Sequence, residues 1–217
     1  MARQLVTRAV EHAKALAAEA CVLEVRSDNA PAYNLYRSLG FVHYDSITQL
    51  KLENLPEVQV LPFEGYRLRW MKIGEWPARY RLALRATPAE VQAFLPVNEV
   101  DFRVPPVVRL LDPLVERMQR MKTYRWAVEK DGLLEGYANL DARSAQKVTH
   151  HMSLSIAPEA KQALTEPLIL LALHLLQAYP RLNLLTSARR DDVLQLELLK
   201  RYGFTEIDVN HCLGLKF

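Results

Sequence analysis

The sequence predicts an α/β fold in which a twisted, mixed and mostly antiparallel sheet is flanked by helices. Three observations predict this class. Short apolar and β-branched runs alternate with amphipathic helical patterns along the 217 residues. An Asp131-Gly132 pair, which favours a tight hairpin turn, joins two of the runs. The order helix, strand, helix, strand also occurs twice, and a Gly-Phe pair follows the second helix each time.

Residues 1–53 are predicted to form half a domain. Helices are predicted at 2–19 and 31–40, and strands at 21–26 and 42–52. Asp28 or Asn29 can cap the second helix, and Gly40 suits the left-handed conformation that often ends a helix. Residues 54–64 contain two prolines and no periodic pattern, so we interpret them as a linker.

Residues 65–217 are predicted to form a complete second domain. Strands are predicted at 66–73, 79–86, 123–130, 134–141, 147–156, 182–188 and 205–216. Helices are predicted at 89–94, 105–121, 167–178 and 192–202. A turn at 74–77 is expected between the first two strands. Pro167 is expected to begin the long helix, because proline is favoured in a first turn.

The two blocks share an internal repeat at a shift of 163 residues, and five of the twenty positions 22–41 are identical after that shift. The identities are Arg26 with Arg189, Asp28 with Asp191, Leu35 with Leu198, Gly40 with Gly203 and Phe41 with Phe204. The first copy lacks everything that precedes this segment in the second copy. The sequence therefore predicts the later half of one unit followed by a whole unit.

Residues 29–41 carry a spaced pattern of polar, aromatic and glycine residues directly after a predicted buried strand. The pattern consists of Asn29, Ala32, Leu35, Tyr36, Gly40 and Phe41. It resembles the GNAT acetyltransferase signature Asn-x-x-Ala-x-x-Leu-Tyr-x-x-x-Gly-Phe at every named position. The resemblance implies the GNAT fold and an acetyl-CoA-dependent transfer of an acetyl group to a primary amine, with no metal.

The same resemblance implies roles for two side chains of this segment. The Asn29 amide would hydrogen-bond the pantetheine arm of acetyl-CoA, to which it can offer both a donor and an acceptor. The Tyr36 hydroxyl would be the catalytic general acid that protonates the departing thiolate. Tyr33, which shares a helix face with Tyr36, and Arg37 are further candidate cofactor-binding residues. From the residues alone, the alternative is that Asn29 is a helix cap and Tyr36 a core aromatic.

The resemblance also implies a glycine-rich diphosphate loop, and neither copy has one. In the first copy the glycines would precede Met1, so we expect Met1 to be internal to a longer tandem protein. The alternative is that the short chain is the real product. In the second copy we assign the loop to 158–168, which contains no glycine. Its glycine positions are occupied by residues such as Gln162, Ala163, Thr165 or Pro167.

The second unit also departs from the signature at the two chemical positions. Leu199 aligns with Tyr36, and Asp192 aligns with Asn29. A carboxylate is poorly placed beside an anionic coenzyme. We therefore expect the second unit to be a degenerate GNAT domain with a structural or substrate-recognition role. Lys161 and the Arg189-Arg190 pair are expected to lie in solvated surface.

Composition and spacing exclude several other classes of protein. A net charge of +3 is too small to predict nucleic-acid binding, and the longest apolar run is too short to span a bilayer. Cys21 and Cys212 are expected to be reduced thiols of a cytoplasmic protein. No metal site is predicted, because His150 and His151 point to opposite faces of a strand.

Two functions from different classes follow from these observations. The leading one is an N-acetyltransferase that uses acetyl-CoA as co-substrate and a small-molecule or peptide amine as acceptor. The alternative is a GNAT-like binding or assembly module that has lost this chemistry, which the missing loop and Leu199 favour. A third alternative is a homodimer in which two chains complete each other's half-domain, because an uncovered apolar face favours a partner.

Overall fold

The computed structural model describes residues 1–72, 74–103, 105, 118, 120–145 and 148–217. Its helices are α1 (Ala2–Ala15), α2 (Ala30–Ser38), α3 (Trp76–Ala86), α4 (Ala89–Gln92), α5 (Lys161–Leu176) and α6 (Val193–Arg201), with 3₁₀ turns at Glu99–Phe102 and Pro158–Ala160. Its strands are β1 (Ala20–Arg26), β2 (Val42–Leu52), β3 (Arg67–Trp70), β4 (Met121–Lys130), β5 (Leu133–Arg143), β6 (His150–Ile156), β7 (Leu184–Arg189) and β8 (Thr205–Lys216). The helix predicted at 105–121 lies almost entirely outside the described residues.

The described strands form one continuous sheet in the order β1-β8-β2-β7-β6-β5-β4-β3. All neighbouring strands are antiparallel except β6 and β7, which are parallel. Helices flank this sheet, so the predicted fold class is confirmed. No helix in the described ranges is both long enough and apolar enough to cross a membrane.

The main hydrophobic core is built around α5. Leu164, Leu168, Ile169, Leu173 and Leu176 of this helix are all fully buried. A helix that is buried on almost every side is apolar all round and not only along one stripe. This burial explains why the longest apolar run of the sequence lies in α5. A smaller cluster of Val25, Phe41 and Leu213 connects β1 with α1 and α2.

The two ends of the chain are interleaved in the sheet. β8 lies between β1 and β2, while β2 lies between β8 and β7. The strand pairs obey the shift of 163 residues found in the sequence: Val25 pairs with His211, and their shifted counterparts Ala188 and Thr48 also pair. Each repeat therefore inserts its last strand into the other repeat. The linker at 54–64 is irregular, yet no sheet boundary separates the segments that it joins.

The prediction of a strand at 79–86 is wrong, because this segment belongs to helix α3. Pro77 lies in the first turn of that helix, where a missing N–H has no cost. Ala78 and Leu82 lie four residues apart on the side that packs against the core. Contacts of α3 with β5 and β6 therefore stabilise a helix where the local pattern was ambiguous.

The beginning of the long helix was also misplaced. α5 begins at Lys161, and Pro167 lies inside it rather than at its start. Gln162, Ala163 and Thr165 are consequently helical, so the predicted loop at 158–168 is wrong. The connection after β6 is the short turn Pro158–Ala160. Thr165 Oγ1 donates to the Lys161 carbonyl at 2.7 Å, which satisfies its hydroxyl inside the helix.

Adjacent histidines on β6 occupy opposite faces of the sheet, as predicted. His150 is fully buried, whereas His151 is exposed. The Arg143 N–H donates to His150 Nδ1 at 3.0 Å, and His150 Nε2 lies 3.2 Å from the Pro180 carbonyl. The neutral ring satisfies both contacts, but a protonated Nδ1 would oppose the Arg143 N–H. Burial, the largest cause, and neighbouring cations lower the pKa of His150.

We expect the stability of the protein to fall as the pH is lowered from about 6.5, partly because of His150. A histidine whose folded pKa is lowered stabilises the fold above its unfolded pKa, and this contribution is lost as the pH falls through the folded pKa. Each linked proton changes the free energy of unfolding by about 1.4 kcal/mol per pH unit. Urea unfolding of H150N between pH 7.5 and 5 should show a shallower pH dependence than the wild type. The matched variant H151N, which removes the exposed neighbour, should reduce the slope less than H150N does, and equal slopes for both variants would contradict the assignment.

Candidate functional site

The parallel strands β6 and β7 pair over only two residues and then part. The paired residues are His150 with Leu184 and His151 with Leu185. Beyond them, β6 pairs only with β5, and β7 pairs only with β2. A cavity of about 250 Å³ lies between the diverging strands. The main-chain edges that face this gap have no strand partner among the described residues, so they can hydrogen-bond a ligand.

Two helices begin at the mouth of this cleft. α5 contributes Lys161 and Thr165 to its lining, and α6 contributes Gln195 together with its capping residue Asp192. The first turn of α5 has no side-chain cap. The Lys161 N–H already donates to the Pro158 carbonyl of the preceding 3₁₀ turn, so what favours an anion here is the positive end of the helix dipole. The remaining lining includes Leu154, Ser155 and Ile156 of β6 and Ser187, Ala188 and Arg189 of β7.

A short ion pair crosses the mouth of the cleft. Lys161 Nζ lies 2.7 Å from Asp192 Oδ2, and the side chains are 33% and 11% exposed respectively. Asp192 Oδ1 accepts a hydrogen bond from the Gln195 N–H at 3.2 Å. The prediction that Lys161 lies in solvated surface is therefore wrong. Its ammonium compensates a mostly buried carboxylate.

A second ion pair holds the end of β7 against β2. Arg189 Nη1 donates to Asp45 Oδ2 at 2.8 Å, and the same guanidinium makes two hydrogen bonds to Asp191. Burial raises the pKa of Asp45, and the charge of Arg189 opposes that rise. The prediction that Arg189 lies in solvated surface is wrong, since its side chain is only 21% exposed. Arg190 is more exposed and pairs with Glu206.

The same arrangement recurs in the first copy at the shift of 163 residues. Arg26 binds Asp28 through Nε and Nη2, as Arg189 binds Asp191, and its Nε lies 3.8 Å from Asp208. Asp208 is the shifted counterpart of Asp45. Extending the repeat alignment by four residues beyond Phe41 brings Asp45 and Asp208 into register, which is the sequence signal for this pair. In each copy an arginine therefore bridges to an aspartate that the other copy supplies.

The predicted site residues of the first copy lie elsewhere in the fold. Asn29 Oδ1 accepts the Ala32 N–H at 3.2 Å and so caps α2, as Asp192 caps α6. Tyr36 packs against Phe41 in the smaller cluster, and Arg37 Nη1 donates to the Phe41 carbonyl at 3.0 Å. None of these residues lines the cleft between β6 and β7. Their catalytic and coenzyme-binding roles therefore stay predictions.

Tyr33 contacts a polar cluster at the junction of the two copies. Its ring centroid lies 5.3 Å from that of His211 and 6.0 Å from that of His43. Ser46 Oγ lies 2.8 Å from His43 Nε2 and 2.9 Å from His211 Nδ1. Because these groups join β2 to β8, they fix the register of the interleaved strands. The edge strand β1 has no described partner on its outer side, so the first copy forms no second cleft within the described residues.

The cleft fits one part of acetyl-CoA well and another part poorly. The unpaired strand edges and the cavity suit an extended arm that carries amides and a thioester. The start of α5, at the positive end of the helix dipole, suits a phosphate, but the Lys161 ammonium beside it is already paired with Asp192. The short turn at Pro158–Ala160 holds no glycine, however, and Asp192 places a carboxylate at the same mouth. No group of three or more metal-binding side chains occurs in the part of the chain that the structure describes.

Solved structures with the same architecture include GCN5-related N-acetyltransferases. A tandem GNAT protein from the clavulanic acid biosynthesis pathway is 17% identical with a TM-score of 0.61, and the match covers 99% of this chain and 69% of that one. An enzyme of this class from Sphaerobacter thermophilus is 10% identical with a TM-score of 0.58, over 91% of this chain and 59% of that one. One from Anabaena variabilis is 12% identical with a TM-score of 0.57, over 98% and 50%. This chain thus spans between half and about two thirds of their lengths.

These comparisons and the parted strands define the class of protein: the chain has the GNAT fold. The sequence match is more local. Residues 1–41 match the sequence model of the acetyltransferase (GNAT) family, and this range includes the pattern at 29–41. The predicted resemblance is therefore confirmed. A search of curated protein sequences finds no significant match.

Proposed function

We propose that this protein is an N-acetyltransferase that transfers the acetyl group of acetyl-CoA to a primary amine of a small molecule or peptide. The observation that supports the proposal most directly is the parting of β6 and β7 around a cavity whose strand edges are unpaired. In this proposal the coenzyme occupies that cleft, beside the second copy. The Tyr36 and Asn29 site of the first copy remains the alternative location for the chemistry.

Acetyl-CoA would supply an acetyl thioester that is activated toward attack by an amine. The free edge of β6 would bind the amides of the pantetheine arm through main-chain N–H and C=O groups. The positive end of the α5 dipole would attract the phosphates, and Lys161 would contribute once it leaves Asp192. Arg189 would keep the wall of the cleft in place through Asp45, so that the thioester and the amine meet in a fixed geometry.

Acetyl-CoA is expected to stabilise the wild-type protein against heat, because a ligand that binds only the folded state stabilises it by mass action. At a concentration of 100 times Kd this effect amounts to about 2.7 kcal/mol. S187W, which fills the cleft from β7, should abolish the shift of Tm. S153W is the matched control, since Ser153 is exposed on β6 and does not line the cleft. Absence of a shift for the wild type at millimolar acetyl-CoA would contradict the proposal.

A binding module without transfer activity is the second candidate. It is favoured by Leu199, which is fully buried at the position where the first copy has Tyr36. A buried leucine cannot protonate a departing thiolate. Release of free CoA thiol should be followed while a panel of amines is added to the protein with acetyl-CoA. Binding of acetyl-CoA without amine-dependent thiol release would support the module rather than the enzyme.

A further inference from the structure

The Asp192 carboxylate at the mouth of the cleft affects which thioester the cleft accepts. Asp192 is 11% exposed and uses both oxygens, one for the Gln195 N–H and one for Lys161. Lys161 lines the cleft but is already neutralised by this contact at 2.7 Å. An incoming diphosphate would therefore meet an ion pair with no net charge instead of a free ammonium, and it would have to displace the Asp192 carboxylate from the lysine.

We propose that Asp192 is a specificity-determining residue that weakens the binding of diphosphate-bearing acyl thioesters and favours carriers that lack the diphosphate. The inference rests on the proposed function, because it assumes that the thioester enters the cleft between β6 and β7. Like charges in a partly desolvated site repel more strongly than they do in water. The cost falls on the diphosphate of acetyl-CoA and is absent for acetylpantetheine, which has the same thioester arm.

The variant D192N isolates this charge. Asparagine is as good a helix cap as aspartate, so the hydrogen bond from the Gln195 N–H can be retained. The change removes the repulsion and releases the Lys161 ammonium toward the ligand. D191N is the matched control: it removes the same charge one residue away, from an exposed aspartate that pairs with Arg189 instead.

Calorimetric titration should use three probes: acetyl-CoA, acetylpantetheine and inorganic pyrophosphate. D192N should bind acetyl-CoA and pyrophosphate about tenfold more tightly than the wild type and D191N, whereas acetylpantetheine affinity should change little. K161M should bind the two anionic probes more weakly than the wild type. Equal affinities of wild type and D192N for both anionic probes would overturn the proposal, and so would an equal gain for acetylpantetheine.

The same titrations separate this inference from the proposed function. Tighter pyrophosphate binding by D192N, with no binding of acetyl-CoA or acetylpantetheine by any variant, would show that Asp192 opposes a diphosphate but would overturn both the acetyltransferase and the thioester specificity assigned to Asp192. Binding of acetyl-CoA by the wild type with no gain in D192N would overturn the role of Asp192 and leave the proposed function standing.

Discussion

Residues 65–217 expressed without the first copy are expected to lose the native fold. In the sheet, β7 and β8 do not pair with each other, because β2 lies between them and pairs with both. Removing residues 1–64 also removes β1, which pairs with the other side of β8. Leu50 and Leu52 of β2 are buried in the main core, so their loss would also open a cavity there.

Circular dichroism and urea unfolding would test this expectation. The shortened chain should show a broad transition or none, whereas the full chain should unfold cooperatively. A chain that lacks only residues 1–16 is the control, because α1 contributes no strand and only partly buried side chains, so this chain should be less stable but still unfold cooperatively. Adding residues 1–64 as a separate piece should restore cooperative unfolding of the shortened chain. A shortened chain with the Tm of the full chain would show that the interleaved strands are dispensable.

The strand exchange means that the sheet is continuous across the two copies of the repeat. The bounds of β2 and β8 were predicted correctly at 42–52 and 205–216, because alternation within a strand is a local property. The choice of neighbour is a non-local property. An antiparallel neighbour from either copy satisfies the same pattern, so periodicity alone could not predict which strand β8 would join.

Local signals failed where burial was unusual. α5 is buried nearly all round, so no polar face marked its beginning, and Pro167 suggested a start six residues too late. In α3 the short spacing of apolar residues suited either a helix or a strand until packing on β5 and β6 decided it.

The candidate site could be predicted only in part from the sequence, because it depends on contacts between distant segments. The equivalence of Asn29 and Asp192 was predicted, and both cap a helix. The cleft depends on two strands that pair over two residues and then diverge, and no local pattern encodes that divergence. The ion pair of Arg189 with Asp45 could not be predicted from local sequence, because Asp45 is distant in sequence and comes from the other copy.

Replacing Arg189 with alanine is expected to destabilise the protein by about 3–5 kcal/mol at neutral pH, because it leaves a buried charge uncompensated. The Asp45 side chain is only 7% exposed, and Arg189 is its ion-pair partner at 2.8 Å. The repeat provides a matched control in R26A. Arg26 is 62% exposed and lies 3.8 Å from Asp208, so its loss should scarcely move the urea midpoint. Equal effects of R189A and R26A would contradict the buried-charge explanation.

The pH dependence of R189A provides an independent test of the same cause. Burial already raises the pKa of Asp45 above its ordinary value of 3.8, and removing Arg189 should raise that pKa further. An acid whose folded pKa is raised stabilises the fold below its unfolded pKa, and this contribution is lost as the pH rises through the folded pKa. The difference in unfolding free energy between R189A and the wild type should therefore shrink as the pH is lowered from 7 toward 4. The double variant D45N/R189A should be more stable than R189A at pH 7, since the amide carries no charge to bury. A deficit that is independent of pH, with no recovery in the double variant, would instead assign the loss to packing of the Arg189 side chain.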